Sequence, residues 1–331
     1  MSLSKRPRVS NNFPRIVKNY QVQNEIGRGA YGCVYIVTNM QTKVKFALKR
    51  ITMKPSDEGI PQSVIREIST LKALGFHKNI TRFYDAFALQ ERSGLNSLNV
   101  VFEKCDCDLN DFMRRQRDDL PLSKICEIMR EIFEGLDFLH TNSVIHRDIK
   151  PQNILINNDK YVKIADFGLS RNYGLHTTFS PEVVTLWYRS PELLLRCKYN
   201  TTVDIWSAGC IFAELHSKKP LFLAPSEARL LLAIFEWVVR CWQQNCVLFR
   251  KIGTPEIERW PVDSVIGHNF FKECPPIPFS NLVPRMSVEA TNLIQQILQF
   301  NSEKRPTARE CLDHQYFTSS SVEPVLPTVA N

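Results

Sequence analysis

Two short stretches of this 331-residue chain carry its most reactive set of side chains. "IHRDIKPQNILI" sets Asp148, Lys150 and Asn153 on one loop, and "IADFG" sets Asp166 between an apolar stretch and a glycine. A carboxylate can accept a hydroxyl proton, carboxylate and amide oxygens together can hold Mg2+, and an ammonium group can stand beside a phosphoryl group in transit. Any one of these residues could be an ordinary surface polar group. Their joint order is informative because Gly27, Gly29 and Gly32 of "GRGAYGCV", and then Lys49, lie upstream. Glycines so spaced let backbone amides approach phosphate oxygens closely. Alone, the triple-glycine pattern is equally a hairpin turn, and it is no dinucleotide fingerprint, since a strand ("CVYIV") follows it where that fingerprint needs a helix. Lys49 is either a surface lysine or a cation that grips nucleotide phosphates and pairs with a carboxylate on a helix. Glu67 is the candidate partner.

The elements that must position these residues follow from periodicity. Three strands are expected between Tyr20 and Ile51: "YQVQNEIG", "CVYIV" and "KVKFALKRI". The last puts Val44, Phe46 and Leu48 on one face and Ala47 and Lys49 on the other. In "GIPQSVIREIS", Ile65 and Ile68, followed by Leu71, recur at helical spacing. Arg66 and Glu67 are adjacent, so on a helix they must meet different partners. Further strands are expected from Ile80 to Ala88 and from Ser97 to Glu103. Beyond Asp108 the pattern turns helical, as in "SKICEIMREIFEGLDFLH" with Ile125, Ile128, Met129, Ile132, Phe133, Leu136 and Leu139 on its apolar side. The expected organisation is α+β. A basic tail (1–19) precedes a strand-rich lobe (20–103), a connection (104–108) and a helical lobe (109–317), and residues 318–331 form a loose tail.

Composition excludes several classes. A hydrophobic fraction of 44% with 23% charged residues is ordinary for a globular chain. The longest apolar run, "LLLAIFEWVVRCW", is broken by Glu236 and Arg240, so no membrane span is expected. "MSLSKRPRVS" is basic with no apolar stretch behind it, so a secretory signal is not expected and a soluble intracellular protein is. The ten cysteines form no paired C-x-x-C sets, which suits reduced thiols better than zinc or disulfides. The net charge of +8 is dispersed without a nucleic-acid-binding signature, so neither nucleic acid nor membrane is an expected partner. "KRPR" at 5–8 is either a common basic cluster or a nuclear import signal. Nucleus and cytoplasm are the expected compartments.

With its motifs assembled, the chain resembles the eukaryotic protein kinases over residues 20–317. That likeness implies a bilobal fold with ATP in the cleft. It implies Asp148 as the base that orients a substrate hydroxyl, Lys150 beside the γ-phosphoryl, Asn153 and Asp166 as magnesium ligands, and Lys49 paired with Glu67. The implied ATP pocket comprises Ile26, Gly27, Arg28, Gly29, Ala30, Tyr31, Gly32, Cys33 and Val34 above, with Ala47 and Lys49. Phe102 is its gatekeeper, Glu103 and Cys105 offer backbone hydrogen bonds to adenine, and Asp108, Gln152 and Leu155 complete it. A lysine two places after Asp148 is similar to serine/threonine kinases. "SPE" (190–192) stands where the family has A-P-E and implies a Glu192–Arg305 pair, and Asp204 in "DIWSAG" resembles a residue that holds the catalytic-loop backbone.

"VVTLWYRSPELLL", "GCIFAEL", "KKPLF" and "IGTP" resemble the cyclin-dependent kinases. "GIPQSVIREIS", Ala30 and "VFEKCDCDL" are most similar to the branch partnered by D-type cyclins, cyclin-dependent kinases 4 and 6. This likeness implies that Glu67 turns inward to Lys49 once a cyclin pushes the helix into place, while Arg66 turns toward the activation segment. Phosphate on Ser180, five residues before Thr185, would join Arg66, Arg147 and Arg171, with Thr177 and Thr178 as competing sites. Val184 and Arg189 would select proline after the target Ser/Thr, and Tyr31 is either a packed aromatic or an inhibitory phosphorylation site. The implied partners are a D-type cyclin, Ser/Thr-Pro substrates such as retinoblastoma-like proteins, and cyclin-dependent kinase inhibitors, in a role that promotes G1 progression and the onset of S phase.

A MAP kinase is disfavoured because "HTTFSPEVVT" holds no T-x-Y pair. The alternative from another class is a kinase-shaped protein that binds cyclin or inhibitor without catalysis. Its mark would be loss of Lys49, Asp148 or Asp166, and all three are present. Residues 236–249 interrupt the family pattern, since removing them leaves "LLLAIFRKIGTP". Helix extension along Ile234, Val238, Trp242 and Phe249 ranks first; a docking surface built on Trp237 and Trp242, or a translated intron, are the other readings.

Overall fold

Alternating burial in the first hundred residues builds one curled antiparallel sheet. The computed structural model describes residues 15–29, 32–53, 59–90, 96–157, 161–172, 186–235, 254–273 and 283–318. Strands β1 (Ile16–Val17), β2 (Tyr20–Gly29), β3 (Gly32–Asn39), β4 (Lys45–Thr52), β5 (Phe83–Gln90) and β6 (Asn96–Glu103) lie in the order β1-β2-β3-β4-β6-β5. Val17, Tyr20, Tyr35, Val37, Leu48 and Val101 close a small core on one face. The register Val34↔Lys49↔Val100 and Ala47↔Phe102 puts the candidate nucleotide residues on the other face. Gly32 permits the close approach of β3 and β4: a Cβ there would lie 1.8 Å from the Arg50 carbonyl oxygen.

Three local expectations are corrected. β4 begins at Lys45, and Val44, 52% exposed, does not share the buried face of Leu48. β5 begins at Phe83 rather than Ile80, because Ile80 is drawn into a parallel bridge with Ile164 of the other lobe, where Thr81 N donates to Ile164 O and Ile164 N to Asn79 O. Helix α1 (Gln62–Leu74) buries Val64, Glu67 and Leu71, whereas Ile65 is 52% exposed. The buried stripe is rotated by one residue, because inward rotation of Glu67 toward Lys49 carries Val64 in and Ile65 out.

The second lobe is helical. Asp108 caps α2 (Leu109–Arg115) by accepting from Asp111 N, and α3 (Leu122–Thr141) buries all seven apolar residues predicted for it. A three-stranded sheet ordered β10-β9-β7 comprises β7 (Cys107–Asp108), β9 (Ile154–Asn157) and β10 (Tyr161–Ile164). A second pair joins β8 (Val144–Ile145) to β11 (Arg171–Asn172). After α4 (Pro191–Leu194) comes α5 (Thr202–Ser217), buried from Thr202 to His216 and therefore the central pillar of the lobe. Then follow α6 (Glu227–Phe235), α7 (Val288–Ile297), α8 (Ala308–Leu312) and α9 (Gln315–Thr318). Gly209 lets α5 meet α7 closely, since a Cβ there would lie 2.4 Å from Ile297 Cγ2. Among the described residues no helix is long and apolar enough to cross a membrane. The basic cluster at 5–8 and the insertion at 236–249 lie outside the described residues.

Candidate active site

The catalytic loop leaves β8 through Arg147, whose φ of 66° is left-handed and needs outside support. Asp204 on α5 supplies it: its carboxylate accepts from His146 N and Arg147 N, both at 2.8 Å, and lies 3.0 Å from His140 Nε2. Burial opposes the charge, yet these contacts hold the carboxyl below the usual aspartate range. The loop is thus fixed by a charge that has no water to lean on.

Asp148 is turned inward by its own loop. Lys150 Nζ donates to Asp148 Oδ2 at 2.6 Å, and Asn153 Nδ2 donates to Asp148 O and Oδ2, each at 2.8 Å. Burial pushes the Asp148 carboxyl above its ordinary value, with Lys150 opposing. A carboxylate of raised basicity suits proton acceptance.

Across the cleft, Asp166 stands at φ 66°, ψ 75°, beginning a turn over Phe167–Leu169. Lys49 Nζ lies 2.7 Å from Glu67 Oε2 and 3.8 Å from Asp166 Oδ1, so one ammonium spans sheet, helix and loop. Burial opposes ionisation of Asp166, but Lys49 foremost holds its carboxyl below the usual range; burial pushes Glu67 upward against the pull of Lys49. Arg66, beside Glu67, points the other way: its Nη1 donates to Gly168 O at 2.8 Å. Arg147 Nε donates to Leu169 O at 2.8 Å and Nη1 to Tyr199 Oη at 2.9 Å. Burial, then the nearby Arg66 and Arg147, lower the pKa of Arg171, so the three predicted cations do gather.

The residues expected to form the ATP pocket take the following places. Val34, Ala47 and Phe102 share the cleft face by register, and Phe102 packs edge-on against Phe83. Ile26 is exposed at its edge, near Gly27, and Arg28 pairs with Glu25. Gly29 closes the β2 register against Gly32, and Cys33 is half-buried beside it. Glu103 spends its N–H on Arg82 O at 3.0 Å. Burial pushes the Cys105 thiol up to about 12, away from the thiolate form. Asp108 faces Leu155 across the β7–β9 pair but commits a carboxylate oxygen to its helix cap, and Gln152 is exposed in the turn Pro151–Asn153. Ala30, Tyr31, Thr177, Thr178, Ser180, Val184 and Thr185 lie outside the described residues.

Below the site, Glu192 and Arg305 form a bidentate pair at 2.6 and 2.8 Å, as the motif implied. Some supports carry no local signal. Lys163 bridges to Glu103 at 3.1 Å. Glu131 accepts from Asn79 Nδ2 and Val162 N, and Arg189 Nη1 donates to Glu227 Oε1 at 2.7 Å. Each partner lies tens of residues away, so only the known fold or the structure could pair them.

The protein kinase domain family matches residues 20–317. The chain belongs to the protein kinase family. Within it, this chain is 42% identical over 294 residues to a Cyclin-dependent kinase 4 homolog of Caenorhabditis elegans, covering 88% of this chain and 69% of that protein. It is 39% identical to Cyclin-dependent kinase 4 of Xenopus laevis, with 90% of each chain covered, and 38% identical to that of Sus scrofa, covering 92% and 98%. It is therefore a serine/threonine protein kinase of the cyclin-dependent kind, and protein kinases as a family use ATP and Mg2+. The residues fit that use. The Asn153 amide NH2 is committed to Asp148, which leaves its carbonyl oxygen for a hard cation, and Asp166 is held ionised. Mg2+ needs few protein ligands when phosphates supply the rest.

Proposed function

We propose that this kinase works with a D-type cyclin on Ser/Thr-Pro sites of proteins such as retinoblastoma-like substrates, under inhibitor control, to promote G1 progression and the onset of S phase. The observation that carries the catalytic part is Lys49, poised between Glu67 and Asp166 at 2.7 and 3.8 Å. Lys49 would anchor the ATP phosphates, with Glu67 keeping it aimed. Asp148 would accept the substrate hydroxyl proton, and Lys150, already against Asp148, would face the phosphoryl being transferred. Magnesium held by Asn153 and Asp166 would neutralise phosphate charge. The cyclin part is supported by α1, which keeps Ile60 and Ile65 exposed beside it and on it while Glu67 is buried, an apolar face fit for a protein partner. Regulation would come through Ser180: a phosphate there would relieve the repulsion among Arg66, Arg147 and Arg171 by charge-assisted hydrogen bonds.

One panel of cyclin-bound proteins tests this reading. Asp148→Asn should lower kcat on a Ser-Pro peptide by about 10²- to 10⁴-fold, and Ser180→Ala should remain largely inactive. Retained cellular function of Asp148→Asn would favour a catalysis-independent binding role. Full activity of Ser180→Ala would remove that residue from regulation.

A further inference from the structure

Three consecutive residues at the end of the activation segment are each tied to a different part of the helical lobe. Trp187 Nε1 donates to Ala224 O at 2.8 Å, Tyr188 Oη to Glu214 Oε2 at 2.6 Å, and Arg189 Nη1 to Glu227 Oε1 at 2.7 Å. The first two ties pin the backbone through buried or half-buried rings. The third is of another kind: the Arg189 side chain is 27% exposed and long, and no contact but Glu227 fixes its guanidinium among the described residues. Glu227 is well placed for that task. It is the first residue of α6, where a carboxylate is favoured by the helix dipole. The helix is rooted by Leu230, Leu231, Ile234 and Phe235, and the Phe235 ring packs edge-on against Trp260, Phe271 and Phe300.

We propose that Glu227 is a positioning residue for proline selection, holding the Arg189 guanidinium in the orientation from which it organises the substrate-binding backbone. This rests on the reading of Arg189 as a proline-selecting residue. A partly exposed ion pair contributes little to stability. Its value lies in removing the rotamer freedom of a long side chain before substrate arrives. Substrate preference is thereby coupled to a helix 38 residues away in sequence.

The test measures kcat/KM of the cyclin-bound kinase on matched Ser-Pro and Ser-Ala peptides. Glu227→Gln should reduce the Pro/Ala ratio about three- to tenfold, the scale expected when one such side chain loses its orientation, and Glu227→Asp should restore part of it. A merely structural role would lower both peptides together and leave the ratio unchanged, which overturns the proposal. Arg189→Lys separates the two failures. If it lowers the ratio and Glu227→Gln does not, the positioning role is wrong while the reading of Arg189 stands; if neither lowers it, that reading falls as well. Added salt gives a second measurement without dependence on variant folding: screening should erode the ratio in the wild-type kinase. A ratio indifferent to ionic strength counts against the pair.

Discussion

One ion pair stands in the cleft and another is buried below it in the helical lobe, and they are built for opposite purposes. Glu192–Arg305 is sealed: the Arg305 side chain has 0% exposure, binds both carboxylate oxygens, donates also to the carbonyls of Gln299, Thr202 and Phe300, and lies over the Trp206 ring. Lys49–Glu67 is open on one side: Lys49 is 24% exposed, lies 2.7 Å from a carboxylate that burial pushes toward the neutral form, and also faces Asp166 at 3.8 Å. Full satisfaction of every donor makes the first pair a rivet between α4 and the C-terminal helices. The second keeps its cation partly exposed and shared between Glu67 and Asp166, at the mouth of the cleft where a ligand would enter. Structural and catalytic charge are thus told apart by how completely the protein seals them from solvent.

The largest effect that would break this contrast is on stability. Arg305→Met leaves Glu192 buried without a partner and should cost about 3 to 5 kcal/mol, read from urea unfolding midpoints. Adding Glu192→Leu should recover much of that loss, because two apolar groups need no partners; no recovery would mean that Arg305 acts through its carbonyl contacts instead. Lys49→Met should instead lower kcat by about 10²- to 10³-fold, the usual effect of removing one charge-stabilising donor. Its unfolding midpoint should move far less than that of Arg305→Met, since Glu67, already pushed upward, can take up a proton. Equal destabilisation by both changes would erase the distinction. The smallest effect sharpens it. Ser190, fully buried beside Glu192, has an Oγ with no hydrogen-bond partner among the described residues. Ser190→Ala removes that unsatisfied group and should stabilise the kinase by about 1 kcal/mol; a loss of stability would show that the hydroxyl has a partner in solution.

Where several functional residues share one short stretch, spacing sufficed: Asp148, Lys150 and Asn153 are joined by hydrogen bonds within five residues of one another. The apolar period of α3 was equally plain, since its whole buried face lies within one helix. The period of α1 misled by one position. A buried carboxylate breaks the apolar stripe, and hydrophobicity alone cannot announce that Glu67 faces inward and Ile65 outward. The start of β5 failed for a related reason, because Ile80 looks strand-like yet is claimed by Ile164 in the other lobe.

By itself, then, the sequence determined the family, the two-lobed order of elements and the closeness of Asp148, Lys150 and Asn153, because these reside in residue type and short-range spacing. The tertiary structure alone decided which way α1 turns, how closely Lys49 meets Glu67, and that Arg189 pairs with Glu227. Those are contacts between segments 18 and 38 residues apart. Their geometry is set by packing of the intervening chain, which no local pattern encodes.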